Sequence, residues 1–254
     1  MVAASFLMPE HPANRSLASE IAQKLVRVRV GEADTTIVTP VLYPGGRMVS
    51  VRLLGGPDRF TVTDDGGGMS EAEMVGAEDL YRDEARKVAE RYQLRFNRWE
   101  LFEIDAPLDR LPGFIAIVAN AAAEAMLRTT DALTKRLERH KREALADRLE
   151  RIFGSKQVEK RPVIHGSSTK EWRFEAAVNQ INGRRSLFTL ITPAPGSVAW
   201  GYAKMDDVSR IESAPLITAV IDGRLAADDR VLIGRAARRL LSVDDADDAF
   251  RVAA

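Results

Sequence analysis

Residues 35–68 read TTIVTPVLYPGGRMVSVRLLGGPDRFTVTDDGGG, and this stretch decides the first half of the fold. The run 35–43 is rich in β-branched residues and stops at Pro44-Gly45-Gly46. Proline presets the first central φ of a turn, and glycine accepts the positive φ of the second. Residues 47–54 then alternate, with Met48 and Ser50 on one face and Val49, Val51 and Leu53 on the other. Gly55-Gly56-Pro57-Asp58 makes a second turn, and Phe60, Val62 and Asp64 share one face of a third strand. Two adjacent turns between short alternating runs predict an antiparallel β-meander.

Toward the N-terminus, Leu17, Ile21, Leu25 and Val28 recur at helical spacing and predict a helix over 14–29, capped by Asn14 or Ser16. Residues 1–8 lack a basic n-region and are interrupted by Pro9 and Pro12, so no signal peptide is expected.

Toward the C-terminus, the acidic glycine corner 64–68 stops the third strand. Ser70, with Glu71 and Glu73 in the first turn, predicts a helix running to Arg91. A strand over 93–104 follows. Residues 111–153 have a helical pattern closed by Gly154, roughly 60 Å long if unbroken at 1.5 Å per residue. Thr129-Thr130-Asp131 are poor interior helix formers and mark a predicted break. The first half of this segment is small and apolar, hence buried, and the second half is charged. Its most apolar part, 114–127, holds Asn120 and Glu124 and is too short and polar for a membrane span. Strands are expected near 158–165, 171–181, 186–192, 197–203 and 215–222, with helices near 205–213, 227–241 and 246–252.

The pattern reads as an α+β protein. An N-terminal antiparallel β-meander module with helices covers 1–106, a long central helical segment 107–154, and a mixed α/β module 155–254. In the last module, a helix, three strands, a helix and a strand follow the order of restriction-endonuclease-like cores. The third of those strands, 186–192, carries neither the carboxylate nor the lysine that a magnesium nuclease needs, so the likeness is to a degenerate relative.

Composition narrows the chemistry. The 254 residues contain no cysteine, which removes disulfides, thiolate nucleophiles and Cys-ligated zinc. Lys plus Arg and Asp plus Glu both number 37, so no global field steers the chain to nucleic acid or membrane. A cytoplasmic protein without a membrane partner is the expectation.

Two constellations stand out. Asp64, Asp65, Gly66 and Gly68 fit Asp-x-Gly-x-Gly, which resembles the adenine-contacting box of the ATPases that include histidine kinases, gyrase and Hsp90-type chaperones. The upstream order is wrong for that family, because Asn14 precedes Glu20, and a second glycine-rich lid is missing. Asp58, Asp64 and Asp65 could instead converge on a divalent cation. The plainer reading is a tight strand-to-helix turn, with no cofactor and no metal. The second constellation is the basic helix: Lys135, Arg136, Arg139, Lys141 and Arg142, with Glu138 and Glu143 interleaved. It reads as a self-paired solvated face (Glu138 with Arg142, Asp147 with Arg151), as phosphate contacts to nucleic acid, or as a homodimer seam along Leu133, Leu137, Leu145, Leu149 and Ile152. His11, His140 and His165 are isolated and suggest no hydrolase.

Thr39-Pro40, Tyr43-Pro44-x-Gly46 and Asp64-Asp65-Gly66, spaced over strand–turn–strand–turn–strand, resemble an uncharacterised domain family of bacterial, phage and prophage genes. That domain is sometimes followed by a second α/β module. The likeness covers about residues 28–103 and, more loosely, the last hundred. It implies a phage, prophage or mobile-element setting and carries no catalytic residues. The expected function is therefore noncatalytic binding of another protein or of nucleic acid, including inhibition of host defence. The alternative is a metal-dependent nuclease or ATP-binding enzyme built on Asp64-Asp65-Gly66.

Overall fold

The computed structural model describes residues 12–32, 34–180 and 183–254, with side chains from Leu17 onward except that of Ile104. Residues 1–8 and His11 lie outside the described residues. The chain divides into two compact units, Met1–Lys135 and Arg136–Ala254. Its helices and mixed sheets make it an α+β protein, as the sequence predicts.

The first unit contains α1 (Pro12–Leu25), β1 (Arg27–Val30), β2 (Asp34–Leu42), β3 (Met48–Gly55), β4 (Arg59–Thr63), α2 (Gly67–Met74), α3 (Glu78–Tyr92), β5 (Arg95–Phe96), β6 (Leu101–Pro107) and the start of α4 (Leu111–Phe153). One antiparallel sheet runs β1-β2-β3-β4-β6-β5. The predicted meander is β2-β3-β4, and its first turn closes with the Gly46 N–H on the Tyr43 carbonyl at 2.8 Å, Gly46 having φ +88°. Val49, Val51 and Val62 point to the core and meet Met69 and Ala72 of α2, Tyr81, Ala85 and Val88 of α3, and Val118 and Ala122 of α4. Burying apolar side chains of this kind stabilises by about 25 cal/mol per Å² removed from water.

The first unit departs from expectation in four places. The first helix ends at Leu25, because Val26-Arg27-Val28-Arg29-Val30 alternates with a period of two and β-branched valines pack well on a pleated surface. The helix expected from Ser70 begins at Gly67 and is cut by Gly76, whose φ of +64° is left-handed; α3 restarts at Glu78. The segment 93–104 is split by an Asx turn, with Asn97 Oδ1 accepting the N–H groups of Trp99 and Glu100 at 2.9 Å each. No break occurs near Thr129, because the hydroxyls of Thr129 and Thr130 donate to the carbonyls of Ala125 and Met126 (2.7 and 3.0 Å), four residues back in the same helix.

The helical stretch Leu108–Phe153 is, by length and composition alone, long and apolar enough to cross a membrane, a test that the core helix of a soluble protein also passes. Val118, Ala119, Ala121, Ala122 and Ala125 of α4 are buried in the first unit's core, an arrangement compatible with a soluble protein.

The second unit takes residues 136–153 of α4, then β7 (Val158–Lys160), β8 (Val163–His165), β9 (Glu171–Arg173), β10 (Ala176–Asn179), β11 (Arg185–Ile191), α5 (Pro195–Ser209), β12 (Leu216–Ile221), α6 (Ala227–Ala236), β13 (Arg239–Ser242) and α7 (Asp247–Ala253). The sheet order is β13-β12-β11-β10-β7. β10 is antiparallel to β7 and β11, whereas β11, β12 and β13 are parallel. β8 and β9 form a separate hairpin. On one side of the sheet Phe188, Val178 and Val220 meet Leu145 and Leu149 of α4 and Phe250 of α7. On the other, Leu187, Ile217 and Ala219 meet Val198, Met205 and Val208 of α5 and Ile233 of α6.

The strand expected over 197–203 is the first half of α5. Val198, Met205 and Val208 are buried at helical spacing, and Pro195 sits where a helix tolerates it. The helix expected over 227–241 stops at Ala236, and Arg239–Ser242 pairs with β12. Leu145 and Leu149 are spent on this unit's own core and Ile152 packs against it, so the proposed dimer seam loses three of its members; Leu137 is exposed.

Candidate functional site

The acidic glycine corner has the geometry of a structural joint. Asp64 is buried, and its two oxygens accept the main-chain N–H of Leu101 at 2.7 Å and of Gly68 at 3.2 Å. In return the Asp64 N–H donates to the Leu101 carbonyl at 3.0 Å. The carboxylate thus ties the end of β4 to β6 and satisfies an orphan donor at the start of α2. Burial pushes its pKa up to about 6, against the main-chain donors that pull it down. Asp65 is a surface residue that pairs with Arg52 at 3.2 Å, and Arg52 also holds Asp34.

Packing explains the glycines. A Cβ at Gly66, whose φ is +69°, would run into the Trp99 indole, and one at Gly68 into the Tyr81 hydroxyl. The close approach that glycine permits is to the protein's own aromatic side chains. The Tyr43 and Tyr81 hydroxyls are buried there with no hydrogen-bond partner among the described residues. Asp58 is not part of this corner. It precedes β4 while Asp64 follows it, a separation of roughly 20 Å at 3.3 Å per residue, so the alternative in which Asp58, Asp64 and Asp65 converge on a cation does not occur. Among the described residues no group of three His, Asp or Glu side chains is arranged for a metal.

The basic helix is divided. Lys141 Nζ lies 2.7 Å from Asp222, and Arg142 lies 3.8 Å from Glu175 and 4.0 Å from Glu138. The predicted Glu138–Arg142 pair is therefore present, but Asp147 reaches Lys160 at 2.7 Å instead of Arg151. Lys135, Arg136 and Arg139 are exposed, with no ion pair among the described residues.

Sequence reasoning missed three features. The first is a buried ion cluster: Glu175, just before β10, faces Lys204 of α5 at 3.7 Å and accepts the Leu190 N–H at 3.2 Å. Burial pulls the Lys204 pKa down, and the Glu175 charge opposes that. These residues are 29 positions apart, and only the α5 crossover brings them together.

The second is the edge of the first unit's sheet. Every residue from 17 to 32 is exposed. Val28 pairs with Ile37, which pairs with Val51; Val30 pairs with Thr35, which pairs with Leu53, and Leu53 with Val62. Val28 and Val30 thus lie on the same face as the core valines, yet they are 58% and 80% exposed. Helices cover this face over β3 and β4 and leave it bare at β1. The opposite face of β1 carries Arg27 and Arg29, neither with an ion pair among the described residues. The alternation Val-Arg-Val-Arg-Val was the available signal.

The third is a cleft in the second unit lined by Arg184, Arg185, Arg238 and Arg239. A smaller cavity of about 310 Å³ lies at the carboxyl ends of β11 and β12, and two of its three cations are already engaged: Lys141 by Asp222, and Arg148 by the carbonyls of Val243 and Asp245 and the carboxylate of Asp247, while Arg151 also lines it.

Comparison with protein-family models and with curated proteins finds no match for the chain.

Proposed function

We propose that the chain is a noncatalytic binding protein that takes an extended segment of a partner protein onto β1. The observation that carries this reading is the bare apolar face of an edge strand that has a full row of unpaired main-chain groups. An added strand would satisfy those groups, and its alternate side chains would cover Val28 and Val30. Leu17, Ile21 and Leu25 give α1 an exposed stripe beside the same strand in sequence, and a fourteen-residue helix gains little stability alone in water.

Charge selects the occupant. Arg27 and Arg29 alternate with the valines, so the complementary segment alternates apolar with acidic residues. A second copy of β1 would set arginines against arginines, which disfavours a homodimer through this edge. A cytoplasmic setting in phage, prophage or mobile-element biology, with inhibition of host defence as one role, is the context we infer from the likeness at Thr39-Pro40, Tyr43-Pro44 and Asp64-Asp65-Gly66. The enzyme alternative at that corner has less support, because the oxygens of Asp64 are committed to main-chain donors.

The test uses fluorescein-labelled peptides of alternating valine with glutamate or with lysine, read by anisotropy. The acidic peptide should bind the wild type and lose affinity to Arg27→Glu plus Arg29→Glu, while the basic peptide gains it. Equal binding of both peptides, or a dimer in light scattering that the same double substitution dissolves, would overturn the reading.

A further inference from the structure

The cleft in the second unit has a volume of about 720 Å³, the size of a small-molecule site. Three loops and a hairpin build it. Arg184 comes from the turn before β11 and Arg185 from the first position of that strand, Ser213 from the connection between α5 and β12, Arg238 and Arg239 from the start of β13, and Ile164 from β8. Four guanidinium groups therefore converge at one end of the sheet in a chain whose formal charge is zero. Among the described residues no Asp or Glu side chain lines the cleft.

Arg185, Arg238 and Arg239 are incompletely used. Arg185 gives one nitrogen to Glu159 at 2.6 Å, while its Nε is buried with no acceptor among the described residues. Arg238 and Arg239 are exposed at the mouth, with no side-chain ion pair among the described residues. The carbonyl of Ala253 accepts a hydrogen bond from the Thr218 hydroxyl at 3.3 Å. A concave wall of one sign focuses its field, and the planar fork of arginine matches phosphate oxygens two at a time. Ile164, Ile211 and Leu216 add an apolar wall beside the charged one.

We propose that this cleft binds the phosphate groups of a nucleotide-sized ligand, with Arg238 and Arg239 as the principal contacts and the apolar wall against the rest of the molecule. The proposal is independent of strand addition at β1, which lies in the other unit.

Calorimetry on the full chain at low salt tests it, with pyrophosphate, ADP and a short single-stranded oligonucleotide as probes. Pyrophosphate should bind saturably, ADP more tightly, and Arg238→Gln plus Arg239→Gln should weaken both by roughly tenfold or more. Affinity should fall as salt rises. Arg184→Gln serves as a second variant should the pair disturb β13. If the oligonucleotide displaces pyrophosphate, the phosphates are those of a nucleic-acid backbone; if only ADP does, they belong to a free nucleotide. Absence of saturable heat from pyrophosphate and ADP up to about 10 mM, or unchanged affinity in both variants, overturns the proposal. Failure of the peptides at β1 leaves this result untouched.

Discussion

Glu175 and Lys204 face each other inside the second unit, 3.7 Å from Oε2 to Nζ, and each is largely shut off from solvent. Arg142 adds a second cation at 3.8 Å, and the Leu190 N–H a further hydrogen bond. Neither ion can lose its partner cheaply. Lys204→Met should therefore destabilise the protein by about 2–4 kcal/mol in urea unfolding, because it leaves the buried carboxylate with only the half-exposed Arg142 as a counter-ion. Combining it with Glu175→Leu should recover most of the loss, and a double-mutant cycle measures that coupling.

Asp64 gives the fold a pH signature. Its carboxyl holds its proton more tightly in the folded chain, at about 6, than in the unfolded chain, near 3.8. The folded state thus binds more protons between those values, and stability falls as pH rises through that window. The total is about 3 kcal/mol at 1.36 kcal/mol per unit. Asp64→Asn should flatten the pH dependence between 4 and 6, while losing about 1–2 kcal/mol throughout because its amide cannot accept both N–H groups. Unfolding free energies measured at several pH values decide this.

Gly68 and Tyr81 touch, and two substitutions separate the roles of space and polarity. Gly68→Ala drives a methyl into a fully buried ring and should cost about 1–3 kcal/mol or more. Tyr81→Phe removes a hydroxyl without a partner and should be neutral or stabilising by about 1 kcal/mol. Thermal denaturation of the two variants reads both.

Asp207 clamps the loop between β8 and β9. Its oxygens accept from the Ser167 and Ser168 hydroxyls and the Ser168 N–H (2.6–2.8 Å) and from the Trp172 indole at 2.6 Å. The two serine hydroxyls and the indole hold its carboxyl well below the usual range. The clamp is in place above the ordinary carboxylate pKa and is lost only as pH falls toward that depressed value. Asp207→Ala should open the hairpin at neutral pH, seen as faster tryptic cleavage after Lys170.

Local rules made much of this legible. The β2-β3-β4 meander follows from Pro44-Gly45-Gly46, from Gly55-Gly56-Pro57-Asp58 and from alternation, all of which act within a few residues. The span of α4 was readable because its 43 residues hold no proline after Pro112. What stayed hidden depends on distant partners. α5 looks like a strand until β11 and α6 supply the surface that buries Val198 and Met205. Glu175 and Lys204 are unremarkable in sequence, and so are Arg184 and Arg239, because a crossover has to bring them together. The corner at Asp64 was conspicuous for a different reason: tight turns and ligand loops draw on the same residue types.

The long helix also bears on how such a gene can be divided. Val118, Ala122 and Met126 complete one core, and Leu145 and Leu149 complete the other. A fragment ending at residue 106, or one beginning at 155, would be missing a wall. Independent expression of either half therefore calls for a junction within the exposed turns around residue 135, so that each product carries away its own stretch of helix.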